Sequence, residues 1–111
     1  MSFWTHLDKL VERYPIVIDR LKGSAHPRFP DSIYPYDYGY LEGTVGGDGH
    51  GIDIWVGSLE PKQVQAIIVT VDLQQANSEI KLITGCTDEE IETIYRYHCS
   101  YDQQGLLIRR S

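Results

Sequence analysis

Cysteine, methionine and phenylalanine are scarce in this chain, with two, one and two in 111 residues. Two thiols, Cys86 and Cys99, are too few for a disulfide framework, and nothing else suggests secretion, so both are expected in the reduced state. Long apolar runs are also missing. None approaches the ~20 residues that a membrane-crossing helix needs, and the N-terminus lacks the basic-then-apolar order of a signal peptide. The expectation is a cytoplasmic protein without a membrane span. Positive charge is in short supply too: ten Lys and Arg face sixteen Asp and Glu, giving a formal net charge of −6 and a pI near 5.0. Such a surface repels a nucleic-acid backbone and excludes that partner class. The paired Arg109 and Arg110 read as a solvated end. A mean hydropathy of −0.31 and 41% hydrophobic content describe an ordinary globular chain, with room for one domain over residues 1–111. A domain this short buries a smaller fraction of its surface than a larger one, so partner chains are expected to add burial in a homo-oligomer.

Glycine and tyrosine are plentiful, at ten and eight, and they concentrate in one stretch, Tyr34 to Leu59, YPYDYGYLEGTVGGDGHGIDIWVGSL. Within it, Asp48, His50 and Asp53 lie in the run DGHGID. Gly49 and Gly51 permit backbone turns closed to other residues, so several polar side chains can be aimed at one centre. If the turn enters a strand over Ile52 to Val56, alternation sets Asp53 on the face opposite Ile52 and Ile54. Carboxylate oxygens suit Mg²⁺, which is usually held by one or two carboxylates plus substrate phosphates. The plainer alternative is a Gly/Asp-rich turn in which both Asp side chains bond nearby amides.

This stretch resembles the signature of the soluble family I inorganic pyrophosphatases, similar to Y-P-x-N-Y-G-Y/F-I-P-x-T, a short spacer, and D-G-D-P-L-D-V. Tyr34, Pro35, Tyr38, Gly39, Tyr40, Thr44, Asp48, Gly49 and Asp53 match in order and spacing. The match covers roughly a quarter of the chain. Asp37 replaces the family's Asn, His50 stands where the family has the middle Asp that activates the attacking water, and Gly51 replaces Pro. The resemblance implies that Tyr38 bonds phosphate, and that Asp48 and Asp53 hold metal.

Elsewhere the spacing of Phe3, Trp4, Leu7, Leu10, Val11 and Tyr14 predicts an amphipathic helix capped by Ser2 and stopped by Pro15, which the resemblance does not account for. Ile16 to Leu21 reads as a strand whose apolar run ends at Asp19, a candidate acidic site residue by loose alignment, with a plain surface Asp the alternative. The loop from Lys22 to Ser32 replaces a hairpin on which the family carries a phosphate-binding Lys and Arg. Arg28 is the one replacement identified there, able to take phosphate oxygens bidentately. Two strands, Gln65 to Asp72 and Ile80 to Thr84, form an expected hairpin. Anchoring the family's phosphate-binding Lys on Lys81 puts Glu79 at one metal-binding acidic site and Gln74 at the other, where Asp72 serves only if the loop shifts. A surface ion pair between Glu79 and Lys81 is the alternative. Thr87 to Glu90 reads as a capping box opening a helix with Ile91, Ile94, Tyr95, His98 and Cys99 on its apolar stripe. Tyr97 and His98 align with the family's phosphate-binding Tyr and Lys, although a His in such a stripe is commonly a buried core residue. Leu106 to Ile108 completes the set as a short strand.

The fold class expected is α+β and mainly β: a small antiparallel OB-like barrel with an N-terminal and a C-terminal helix, closed so that no strand is left at an edge. The function implied is metal-dependent hydrolysis of inorganic pyrophosphate or a related phosphoanhydride. In this scheme His50 and Tyr38 are catalytic, Arg28, Lys81, Tyr97 and His98 bind substrate, and Asp48, Asp53 and Glu79 bind Mg²⁺. Loss of the middle carboxylate implies fewer metal ions, or softer ones such as Mn²⁺, Co²⁺ or Zn²⁺. The competing expectation is a fold that has lost turnover and serves as a metal- or phosphate-binding or oligomerisation module.

Overall fold

Residues 2–111 are described by the computed structural model, and among them two helices and six strands are formed. They run α1 (Phe3–Arg13), β1 (Ile16–Arg20), β2 (Asp37–Leu41), β3 (Ile52–Val56), β4 (Val64–Asp72), β5 (Asn77–Thr84), α2 (Asp88–Tyr97) and β6 (Gln103–Arg109). Both helices start at the caps their sequences supply. Ser2 Oγ accepts the Thr5 amide at 3.2 Å. Thr87 and Glu90 form a reciprocal capping box, with the Thr87 amide donating to Glu90 Oε1 at 3.0 Å and the Glu90 amide to Thr87 Oγ1 at 3.2 Å. Each cap is worth about 1 kcal/mol. Pro15 ends α1 by holding Tyr14 extended, at φ −121° and ψ 129°.

The strands form one sheet in the order β1-β2-β3-β5-β4-β6, antiparallel except for the parallel pair β3 and β5. Strand alternation divides the core between the two faces. Ile54, Ile67 and Leu82 turn to one side, where Leu7 of α1 covers them with Leu41 and Val64. Trp55, Ile68 and Ile83 turn to the other, beneath Ile91 and Ile94 of α2, with Tyr34 and Cys86 completing the cluster. Gly39 makes the close approach of β1 and β2 possible, since a Cβ there would meet the Val17 carbonyl oxygen at 1.8 Å.

The small mainly β architecture with a helix near each end is as expected, but the sheet does not close. Among the described residues β1 and β6 are unpaired on their outer sides, and the sheet is mixed rather than wholly antiparallel. A helix packs on each face, so both apolar faces are buried without the sheet having to enclose an interior. The last strand is longer than Leu106 to Ile108 because it pairs with β4 from Ala66 opposite Arg109 to Asp72 opposite Gln103. The loop after β1 contains one isolated antiparallel bridge, Ala25 with Ile33. No helix among the described residues is long and apolar enough to cross a membrane.

Candidate anion and metal site

The polar side chains that stand out gather where β1, β2, β3 and β5 lie side by side. Pairing of β1 with β2 is regular until Ile18 opposite Gly39, then slips so that Arg20 faces Tyr38. Such a bulge breaks the alternation of side chains and re-aims them. Asp19 therefore lines an open hollow with Tyr40, Asp48, His50, Gly51 and Asp53. Arg20 is directed toward Tyr34, lowering the hydroxyl's pKa by charge and hydrogen bonding against the dominant effect of burial, which pushes Tyr34 up to about 12.

The glycine-rich turn sets the far wall of that hollow. Gly49 has φ +83°, which permits the tight reversal between Asp48 and His50. Asp48 Oδ1 accepts the His50 amide at 2.9 Å, and Thr44 Oγ1 accepts the Ile52 amide at 3.0 Å as the chain enters β3. Asp48 and His50 are both exposed. Asp48 thus makes the local turn bond that its sequence context allowed, while its carboxylate still borders the hollow.

Asp53 behaves differently. It stands directly across the parallel β3–β5 pair from Lys81, and Lys81 Nζ donates to Asp53 Oδ2 at 2.7 Å, to Glu79 Oε2 at 2.9 Å and to the Tyr38 hydroxyl at 2.9 Å. Glu79 Oε1 in turn accepts the Asn77 side-chain amide at 2.9 Å. The Lys81 side chain is 7% exposed, and those of Asp53 and Glu79 are 19% and 13% exposed. Burial alone would lower the Lys81 pKa, but Tyr38 and Asp53 offset it and hold the ammonium above its ordinary value. Tyr38 is raised by burial and by Asp53, with Lys81 opposing, so its hydroxyl is neutral beside the ion cluster. The Glu79–Lys81 ion pair, which the sequence offered as the alternative to a metal and phosphate role, is formed, but as part of a partly buried contact that also includes Asp53 and Tyr38.

Beside this cluster opens a cleft walled by Phe29, Tyr34, Tyr38, Trp55, Tyr97 and Tyr101, with Lys81 and His98 also lining it. Trp55 Nε1 donates to His98 Nε2 at 2.9 Å, and His98 Nδ1 meets Gln103 Oε1 at 2.8 Å. Because Nε2 accepts, the proton resides on Nδ1 and the ring is neutral. Burial lowers the His98 pKa to about 3, with the Lys81 charge adding to the effect. Tyr97 is half-buried and its hydroxyl accepts from Ser32 at 3.2 Å. His26, on the loop after β1, stacks on Tyr34 at 5.9 Å, and its Nδ1 accepts the Arg28 amide at 3.0 Å. The His26 pKa is lowered by burial first and then by the charges of Arg20 and Arg28, while the Arg20 guanidinium itself donates to the Asp19 carbonyl oxygen at 3.1 Å.

Of the residues singled out in the sequence, Asp48, His50 and Asp53 come together with Asp19 at the hollow, and Tyr38, Lys81, Glu79 and Asp53 come together in the ion cluster. Tyr97 and His98 reach the cleft wall, with both His98 nitrogens committed to core partners. Arg28 is exposed on its loop. Asp72 Oδ1 caps the amides of Gln74 and Gln75 at 3.0 Å each, closing the β4–β5 turn. Arg20 and His26 were not identified from sequence. The dense basic spacing of Arg20, Lys22, His26 and Arg28 was the available signal, but the bulge that aims Arg20 leaves no trace in composition.

Donor chemistry tests whether a divalent cation suits these groups. The hollow presents three carboxylates and an imidazole, Asp19 and Asp48 without an ammonium or guanidinium among the lining residues and Asp53 with Oδ2 already bonded to Lys81. That set fits a hard cation arriving with phosphate oxygens as its remaining ligands. The Asp53–Glu79 pair does not fit one, because Lys81 Nζ already lies between the two carboxylates. Among the described residues no three His, Cys, Asp or Glu side chains converge closely enough to form a cage.

No protein-family model matches this sequence, and no curated protein matches it. Solved structures do. The chain is similar to an inorganic pyrophosphatase from Neisseria gonorrhoeae, at 17% identity and a TM-score of 0.59, over 80% of this chain and 77% of that one. It is similar to the inorganic pyrophosphatase of Helicobacter pylori at 15% identity and a TM-score of 0.58, over 85% and 81% of the two chains. An inorganic pyrophosphatase of Coxiella burnetii aligns at 12% identity and a TM-score of 0.58, over 85% and 82%. These likenesses establish the fold as that of inorganic pyrophosphatases.

Proposed function

We propose that this protein hydrolyses inorganic pyrophosphate, or a similarly small phosphoanhydride, presented as its complex with a divalent cation. The observation that carries the reading is the arrangement of opposite charges about Tyr38. The carboxylates of Asp19, Asp48 and Asp53 border one side; on the other, the charges of Arg20 and Arg28 act on His26, which lines the aromatic cleft together with Lys81, Asp72 and Asp102. A phosphoanhydride carrying a cation needs both signs within its own length.

Asp48, Asp53 and Asp19 would hold the cation, which when bound neutralises phosphate charge and lowers the pKa of water. Arg20 and Arg28 draw the phosphate oxygens toward the cleft, Arg through a planar fork of donors suited to them. Tyr38, kept neutral, has a hydroxyl proton to donate to a phosphate oxygen. His50, at the rim beside Asp48, accepts a proton from the attacking water, as neutral imidazole does near neutral pH. Lys81 fixes the orientations of Asp53 and Tyr38 from beneath.

The test is phosphate release from pyrophosphate with Mg²⁺, Mn²⁺, Co²⁺ or Zn²⁺ in turn. Release is expected to require a cation and to fall at least ~10²-fold in Asp48→Asn. No release with any of the four overturns the reading. A second reading, a binding module without turnover, is favoured by one observation: Glu79 has both oxygens engaged inside the protein. Calorimetric binding of pyrophosphate without phosphate release would establish it.

A further inference from the structure

We propose that the Lys81 ammonium is a permanent internal cation that locks a latent divalent-metal site formed by Asp53 and Glu79. This goes beyond the hydrolytic reading and does not depend on it.

The lock follows from strand geometry. Asp53 and Lys81 are Cα partners across the parallel β3–β5 pair. Glu79 precedes Lys81 by two residues on β5 and so projects from the same face. Tyr38 pairs with Trp55 on β2 and β3 and delivers its hydroxyl to the same point. Three oxygens therefore surround one Nζ at 2.7–2.9 Å, and an ammonium has three protons to donate. Its hydrogen-bonding capacity is used completely, within a side chain that is 7% exposed.

A divalent ion in the same position would need these oxygens at about 2.0–2.6 Å. It would also have to expel an ammonium whose four-carbon stem rises from the middle of the sheet and has little solvent to move into. Leaving a buried ammonium without its carboxylates is strongly unfavourable. The neighbours resist the change as well. Asn77 holds the second oxygen of Glu79, and Gly47 lies against β5 so closely that a Cβ would meet the Ser78 carbonyl oxygen at 2.6 Å. A divalent cation is thereby kept out of the Asp53–Glu79 contact, and the Glu79 side is supplied with its positive charge by the polypeptide itself. Removing the lysine charge while keeping its bulk should expose two convergent carboxylates and a phenol, a set of hard oxygen donors suited to Mg²⁺ or Mn²⁺.

The experiment is Mn²⁺ binding to the full chain, followed by electron paramagnetic resonance and calorimetry without any phosphate compound. Wild type, Lys81→Met, Glu79→Gln and the double variant Lys81→Met/Glu79→Gln are compared. Wild type and Glu79→Gln should bind Mn²⁺ alike. Lys81→Met should gain one site at least tenfold tighter than anything in wild type, with Mn²⁺ raising its melting temperature. The double variant should lose that gain. The proposal is overturned if folded Lys81→Met gains no site, or if its gain survives in the double variant. Should Lys81→Met fail to fold with and without Mn²⁺, the wild-type comparison decides. Equal affinity with Glu79→Gln supports the lock, whereas a loss in Glu79→Gln means that a metal already displaces Lys81. Turnover does not enter these measurements, so failure of the hydrolytic reading leaves them intact.

Discussion

Two regions of this protein meet at Asp53 and treat negative charge in opposite ways. On the β5 side Asp53 and Glu79 are drawn into the sheet and neutralised by Lys81. On the loop side Asp48 stays exposed beside His50 and Asp19, without a lysine or arginine lining the same hollow. The first arrangement is tied into the core through Tyr38, whose ring lies 4.5 Å from that of Trp55. The second hangs on a turn held by a few backbone bonds and Thr44. Carboxylates of similar intrinsic acidity are thus assigned to structure in one place and left available for ligands in the other. The difference arises because Asp53 and Glu79 sit on paired strands beside Lys81, whereas Asp48 lies in a turn and Asp19 at a bulge.

The contrast is broken most sharply by removing the ring that anchors the closed side. Trp55 is completely buried and bonds His98 through Nε1. Trp55→Ala is expected to destabilise the protein by about 3–5 kcal/mol. Asp48→Asn, in the open hollow, should change stability by less than about 0.5 kcal/mol while removing cation-dependent phosphate release. Urea unfolding of both variants checks this. Comparable destabilisation by the two would mean that the hollow is a structural element and not an available site.

A second change sharpens the open side. By the sequence resemblance alone, His50 stands where that family has a carboxylate, and an imidazole adds no negative charge for a hard cation. His50→Asp is expected to raise Mg²⁺-supported phosphate release by ~10², the scale of one acid–base group. Steady-state rates with pyrophosphate measure it. If the substitution leaves the rate unchanged, the short loop carrying Arg28 limits turnover instead.

Much of this organisation was legible beforehand, for identifiable reasons. The helices announce themselves by caps and apolar periodicity, and Ser2, Pro15, Thr87 and Glu90 all act locally, so sequence and structure agree. The sheet order was less accessible, because the parallel β3–β5 step and the open edges depend on which face each helix covers. Asp48, His50 and Asp53 share a hollow largely because they are close in sequence. The enclosure of Lys81 was not legible, since it needs three strands in a particular register. Arg20 escaped notice because a bulge, not the period of the strand, decides where it points. His98 was readable in both of its possible roles, and only the positions of Trp55 and Gln103 show how its nitrogens are used.

That use of His98 gives the smallest but most diagnostic expectation, a pH dependence arising on the closed side alone. Its pKa is lowered in the folded protein to about 3, chiefly by burial, whereas the unfolded chain presents an ordinary His near 6.5. Below about pH 6.5 the unfolded state therefore binds more protons than the folded one, and stability must fall as the pH falls. The His98 contribution is fully present above about pH 6.5 and is lost progressively down to about pH 3. Between about pH 7.5 and 5 the loss amounts to about 2 kcal/mol, from 1.36 kcal/mol per pKa unit. Urea unfolding at the two pH values measures the total, and His98→Gln removes this titration while keeping an acceptor for Trp55. The wild type should lose about 2 kcal/mol more than His98→Gln over that interval. Equal losses would show that His98 gains a proton in the folded state, which its bonds to Trp55 and Gln103 do not allow without one of them breaking.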